Sequence, residues 1–484
     1  RNVVLGGNIR ETAAGLTGVE GLTGDDVGAF IGETAAGVGA VTEAVAAGLG
    51  VLGGAAEAGG EGEGAGFARQ IATAAETLGQ LVEVVGDAAA TGESGDNTIF
   101  MAGGGNIAMT GSGNDTVLAA GAGNVLATGA GNDALFAMGN TNVLLAGSGN
   151  DVLVSAGRNG VLAAGEGDDI VLSLDRGGVV VAGEGNDFVL TLGGASAVAC
   201  GAGDDIVIAG GTATAAMGGE GSDWICSLGW GVFDILGSDA AATIGTTLSG
   251  ALANLDALFE DASSVVTGLV KAGIQAAVGD GEVQFLQGGE GDDVLYAGFG
   301  SSFLEGGAGA DTFVYHFGDG ATTVDLAGGG NDVIRVLTGP QFPDVHLSAG
   351  DIVASRAEGD AFVVSFLHEG SRYGSITIDG LDQSDGGRLL VQSGSDSFLE
   401  FDIGALFSSA GDIAPVMPEA SGGFDRLDQF SQLLDSHHFF EPAAGGDQDV
   451  SSHAVAAALF TNASEQALQQ DVPQQAEQGG QGPG

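Results

Sequence analysis

The sequence predicts an all-β dominated fold: a right-handed parallel β-roll of 18-residue coils, flanked by Ala/Gly-rich helical segments and closed by a β-rich C-terminal cap. Three observations carry this expectation. Aspartates recur every 18 residues from Asp115 to Asp223. A β-rich tetrad such as TVLA, VLVS, IVLS, FVLT, IVIA or WICS follows them, and a second, such as VLAT, VLLA or VVVA, comes nine residues later. Glycine supplies 93 of the 484 residues against 7 prolines, yet 44% of the chain is hydrophobic, too apolar for a merely solvated chain. A fixed period of this length specifies stacked supersecondary units.

In chain order, residues 1–91 read as an Ala/Gly-rich helical cover, with Phe67, Ile71, Leu78, Leu81 and Val85 at helical spacing. The main roll spans 92–230. Each coil is turn, strand, turn, strand, and eight coils stacked at about 4.8 Å give a rod of roughly 38 Å. A helical insertion follows at 231–283, where Leu248, Leu252, Leu255, Phe259, Ala262, Val266 and Leu269 alternate spacings of 3 and 4. A second roll block at 284–340, a β-rich cap at 341–405 and a helical and disordered tail at 406–484 complete the chain.

Turn chemistry identifies the candidate site. The segments GSGND, GAGND, GSGND, GEGDD, GEGND, GAGDD and GEGSD end at Asp115, Asp133, Asp151, Asp169, Asp187, Asp205 and Asp223, with Asn97 one coil earlier. Glycine opens backbone angles closed to other residues and lets carbonyl oxygens approach an ion, while Asp adds a carboxylate. Carboxylates and carbonyls are the donor set of Ca²⁺. An ion would lie between the turns of adjacent coils, so folding and metal binding are expected to be coupled. At the half-period positions stand Asn106, Asn124, Asn142, Gly160, Gly178, Ser196 and Thr214, none acidic. Calcium is therefore expected on one edge only, with the asparagines stacked as a hydrogen-bonded ladder on the other.

The strands carry a second message. Val117, Leu135, Leu153, Val171, Val189, Val207 and Ile225 are expected to face inward. Their neighbours Ile170, Leu172, Phe188, Leu190, Ile206, Ile208 and Trp224 are apolar as well, as are Ile107, Val125, Val143, Val161 and Val179 in the second sheet. Such faces are covered by the chain's own helices or pack against other copies. Self-association is accordingly one expected partnership, and a cell surface or another extracellular component is a further one.

These residues resemble the RTX, or haemolysin-type, calcium-binding repeat family, whose pattern is GGxGxDxUx with a large apolar U. The match is closer downstream, where GGEGDDVLY places Asp293 and GGAGADTFVY places Asp311, again 18 apart. The later strands, in VDLAGGGNDVIRVL, DIVASRAEGDAFVVSF and SITIDGL, are similar to the β-rich cap of that family. The resemblance implies Ca²⁺ binding and export through a type I system that reads an uncleaved C-terminal signal, hence an extracellular or cell-surface location. The QQDVPQQAEQGGQGPG tail departs from the β-forming terminus that the resemblance leads one to expect.

Composition narrows the rest. With 11 Lys+Arg against 64 Asp+Glu, the formal charge of −53 leaves no basic stripe for nucleic acid. No apolar run is long and clean enough for a membrane-spanning helix. Cys200 and Cys226 are expected to be free thiols. No cleavable secretory signal is legible, and the Arg1 start points to sequence missing upstream. Neither HExxH nor GxSxG occurs, and the six histidines form no ligand set, so the chain reads as a non-enzymatic structural or surface-associated protein. The alternative is an exported toxin or enzyme whose active domain lies upstream.

Overall fold

In the computed structural model the tetrads pair coil to coil. The structure describes residues 2–6, 90–91, 95–102, 105–194, 196–236, 274, 277, 283–338, 342, 345–357, 361–369, 371–380, 387–394 and 397–410. Of the helical cover expected over 1–91, the described residues Asn2–Gly6 and Ala90–Thr91 are strands, paired with Asn97–Ala102 and Ile107–Ser112; its remainder, the helix expected around Leu248 to Leu269 and the residues beyond 410 lie outside this set. Two sheets, each of 14 strands among the described residues, form the walls of a parallel β-solenoid. Strands that follow the Asp turns build the first sheet, and those nine residues later build the second.

Register is set by the period: Val117 pairs with Leu135, Leu135 with Leu153, Leu153 with Val171, and so on along the first sheet. In the second sheet Leu126 pairs with Leu144, Leu144 with Leu162 and Leu162 with Val180. Side chains alternate between faces along a strand, and these positions share the inner one. Each is at most 1% exposed and belongs to one continuous core. Burying such a Val or Leu side chain contributes roughly 1.5–3 kcal/mol.

The two runs of repeats are consecutive in space. Trp224–Ser227 lies beside Val294–Tyr296, and Thr214–Glu220 lies beside Val283–Glu290, so the intervening residues leave the roll and return one coil further on. Residues from this departure serve the outer face. Trp230, Val232, Ile235, Ile274 and Ala277 are buried in one cluster with Ile170, Leu172, Phe188, Leu190, Ile206, Ile208 and Cys226. These outward apolar positions are thus buried within the chain itself, with Trp224 partly so, and Met138 is the exposed large hydrophobic side chain among the described residues. Cys200 lies in the inner core and Cys226 in this outer cluster, neither in a disulfide.

Each sheet ends in antiparallel strands. Ser371–Asp379 pairs parallel with Thr322–Asp325 and antiparallel with Phe362–His368, which pairs with Ile352–Arg356. Arg388–Gly394 and Ser397–Asp402 extend the first sheet in the same way. Phe317 packs its ring against Phe366 and Tyr373 at 5.7 and 6.0 Å, closing the core with apolar bulk. No helix of the described residues is long and apolar enough to cross a membrane.

Candidate metal centre

The glycines of each turn are required twice over. Gly129 and Gly131 have φ of 107° and 130°, a sparsely populated region that costs other residues about 1–3 kcal/mol. A Cβ added to either would also overlap the carbonyl oxygen of Gly111 or Gly113 in the preceding coil. Only backbone fits there, so successive turns stack with carbonyl oxygens directed along the edge.

The turns deliver the aspartates into one column. The N–H of Asp115 donates to Asp133 Oδ1 at 2.7 Å, that of Asp133 to Asp151 and that of Asp151 to Asp169, each at 2.7 Å. Asp169, Asp187 and Asp205 donate likewise to Asp187, Asp205 and Asp223 at 2.8, 2.7 and 2.9 Å. The series crosses the insertion, with Asp223 donating to Asp293 at 2.8 Å and Asp293 to Asp311 at 3.0 Å. All nine sequence-predicted residues therefore share one edge. Asn97 heads the column by donating its backbone N–H to Asp115 Oδ1 at 2.7 Å.

Two features were not anticipated. Asp332 continues the column, accepting from the Asp311 N–H at 3.1 Å. It follows Asp311 by 21 residues instead of 18, so its GGGND turn falls out of the repeat's phase. The residues just before the aspartates form a second ladder of opposite sense. The N–H of Asn132 donates back to Asn114 Oδ1, Asn150 to Asn132, Asp168 to Asn150, Asn186 to Asp168 and Asp204 to Asn186, at 2.7 to 3.1 Å. Each turn is thereby tied forward by one residue and backward by its neighbour.

One oxygen of each carboxylate from Asp115 to Asp293 is left over. Oδ2 of Asp115, Asp133, Asp151, Asp169, Asp187, Asp205, Asp223 and Asp293 is buried without a hydrogen-bond partner. Desolvation is the main cause that pushes the Asp151 and Asp169 carboxyls up to about 8. The same desolvation, reinforced by neighbouring carboxylates, raises Asp187 and Asp205 to about 9. Asp133 reaches about 6, and Asp223, Asp293 and Asp311 about 7, again led by burial and opposed by the backbone N–H each accepts. Unpaired buried carboxylates cost several kcal/mol each, and a hard cation accepting their free oxygens removes that cost.

The donor set fits calcium: an orphaned carboxylate oxygen at each coil from Asp115 to Asp293, with backbone carbonyls beside it. Among the described residues no three His, Cys, Asp or Glu side chains converge on one point. Ligation would therefore draw on carboxylates of adjacent coils together with carbonyls. In the coils of Asp223, Asp293 and Asp311 the first turn residue is Gly218, Gly288 or Gly306, where a Cβ would overlap Asp Oδ2. Thr110, Thr128, Ala146, Ala164, Ala182 and Cys200 occupy that position upstream.

The opposite edge bears the expected amide ladder. Asn106 Nδ2 donates to Asn124 Oδ1 at 2.7 Å and Asn124 Nδ2 to Asn142 Oδ1 at 2.8 Å.

Comparison with known families agrees with this geometry. Residues 101–133, 119–153 and 279–320 match the RTX calcium-binding nonapeptide repeat, found in four copies. Such repeats bind calcium, and the strand-dominated solenoid is the β-roll they form. No curated protein matches the chain.

Proposed function

We propose that this chain, as a carrier of RTX calcium-binding repeats, is an exported structural protein whose rod is assembled and held rigid by calcium. Asp115, Asp133, Asp151, Asp169, Asp187, Asp205, Asp223, Asp293 and Asp311 are the proposed carboxylate ligands, each shared between neighbouring coils, and Asp332 extends the row. The observation that carries this reading is the file of buried, unpartnered Oδ2 atoms. A carboxylate column without counter-ions repels itself, while Ca²⁺ converts the same column into the axis of the fold.

An extracellular setting suits such a protein, because millimolar calcium there keeps weak sites filled. The repeat region itself is a structural fold, and the regular recurrence of its carboxylates argues for ions rather than for a singular catalytic centre. Burial of Leu172, Leu190 and Ile208 within the chain favours a rod that carries its own cover over one that packs sheet to sheet. Circular dichroism and sedimentation velocity on one sample, titrated from EGTA to millimolar Ca²⁺, test the reading. Cooperative gain of β-structure by a monomer is the expected result. Full β-structure in EGTA at pH 9, where the column must ionise, would defeat the calcium-assembled rod, and large assemblies would replace self-cover by self-association.

A further inference from the structure

The edge opposite the Asp column changes character at one place. After Asn142 the amide ladder meets Gly160 and Gly178, which have no side chain to continue it. Asp175 enters that space from the turn itself: a Cβ at Gly160 would overlap Asp175 Oδ2, and one at Gly178 would lie 3.3 Å from Asp175 Cβ and 3.1 Å from Ser173 Oγ. Glycine is thus needed at position 160 to admit the carboxylate, and a side chain at 178 would crowd the same group. In the coils on either side, the residue at the position of Asp175 is Gly157 or Gly193, so Asp175 belongs to no repeat pattern.

Asp175 is 0% exposed, neither of its carboxylate oxygens has a close hydrogen-bond partner, and the Ser155 hydroxyl is a polar neighbour that favours its charged form. Ser173 and Thr191, paired in register on adjacent strands, are equally buried, and their hydroxyls are also without partners. Ser155, on the rung before Ser173, accepts Asn142 Nδ2 at 3.0 Å. Arg158 and Arg176 occupy the adjoining turns but are exposed, and no ion pair joins either to Asp175. A buried carboxylate without a counter-charge and buried hydroxyls without partners are both costly to keep. Buried oxygens gathered on this edge, with no cationic side chain among the described residues paired to them, match the preference of a hard cation.

We propose that Asp175 is the anionic ligand of a separate cation site on the second edge, completed by the hydroxyl oxygens of Ser173 and Thr191, which takes one calcium ion outside the Asp column. The proposal rests on the reading of the chain as a calcium-loaded roll, and it amends the expectation that calcium occupies one edge only.

Native mass spectrometry of the full chain at saturating Ca²⁺ resolves whole ions and tests it. Asp175→Asn is expected to carry one ion fewer than the wild type with an unchanged circular dichroism spectrum. Thr191→Val and Ser173→Ala, which keep the carboxylate, are expected to weaken binding of that one ion about tenfold. Asp187→Asn serves as the comparator in the column. Equal ion counts in wild type and Asp175→Asn, with a loss in Asp187→Asn, would overturn the second site and leave the column intact, the result for a hollow that holds only water. Should Asp175→Asn fail to fold, unaltered binding in both hydroxyl variants would overturn the site. A wild type that takes up no calcium would remove the column and the second site together.

Discussion

Asp223 and Asp293 lie 70 residues apart in the chain and one rung apart in the roll, joined by a 2.8 Å hydrogen bond from the Asp223 N–H to Asp293 Oδ1. The column therefore does not register the insertion between them. Deletion of residues 231–282 returns this pair to the spacing of 18 seen elsewhere. The shortened chain is expected to keep the calcium-induced β signal, because the pairing of Trp224 with Val294 and of Phe285 with Ala215 needs no inserted residue. It should bind a hydrophobic dye and associate, because Leu190, Ile208 and Cys226 lose Val232, Ile235, Ile274 and Ala277 from their cluster. Dye fluorescence and sedimentation report this; a monomer that binds no dye would show that the insertion does not cover that face.

Asp187 sits mid-column, accepting from Asp169 and donating to Asp205. Asp187→Asn keeps an oxygen for the Asp169 N–H, as Asn97 shows an amide can stand in this column, but it removes a charge. Two effects of opposite sign are expected. Calcium affinity at the adjoining sites should fall at least tenfold, about 1.4 kcal/mol or more. In EGTA at pH 8 the variant should be more structured than the wild type, since one desolvated carboxylate is gone. Calorimetric titration and thermal melts measure both, and an unchanged calcium titration would remove Asp187 from the ligand set.

How much of this was legible in the sequence follows from what is periodic. The Asp column, the inward Val117 to Ile225 series and the Asn106 to Asn142 ladder repeat at a fixed phase, so spacing alone places them together. Asp332 escaped because 21 residues separate it from Asp311. The Asn and Asp residues preceding each rung were in plain view, but only backbone geometry shows that they bond backwards. Asp175 could not be found by period, because it replaces a glycine once. That Asp223 stacks on Asp293 was likewise hidden, since sequence distance does not say where an excursion of the chain returns.

Two glycines separate conformational strain from crowding. Gly105 and Gly185 both have positive φ, 71° and 125°. A Cβ on Gly105 meets nothing within 4 Å, whereas one on Gly185 would overlap the carbonyl of Gly167. Gly105→Ala is expected to cost only the left-handed penalty, about 1–2 kcal/mol. Gly185→Ala must in addition push two coils apart at the calcium edge, and a larger fall in melting temperature and a raised calcium midpoint are expected. Equal effects of the two substitutions would mean that close stacking of the turns contributes little.

The raised carboxyls give the metal-free roll an inverted pH dependence. In the unfolded chain the aspartates release protons near 3.8, whereas in the fold burial holds Asp151 and Asp169 to about 8 and Asp187 and Asp205 to about 9. Between about pH 4 and 9 the folded state therefore binds more protons than the unfolded one, and stability falls as pH rises through that window. Each rung that keeps its proton contributes a slope of about 1.4 kcal/mol per pH unit. Below the unfolded value the penalty is absent, and above the folded value it is complete. Calcium reverses the trend because it needs the deprotonated column, so its binding should tighten with pH and release protons. In EGTA, β-structure is expected at pH 5 and its loss at pH 9; with millimolar Ca²⁺ it should persist at pH 8. Titration calorimetry in buffers of different ionisation enthalpy counts the protons released, and calcium binding that releases none at pH 7 would mean that the column is already ionised before the metal arrives.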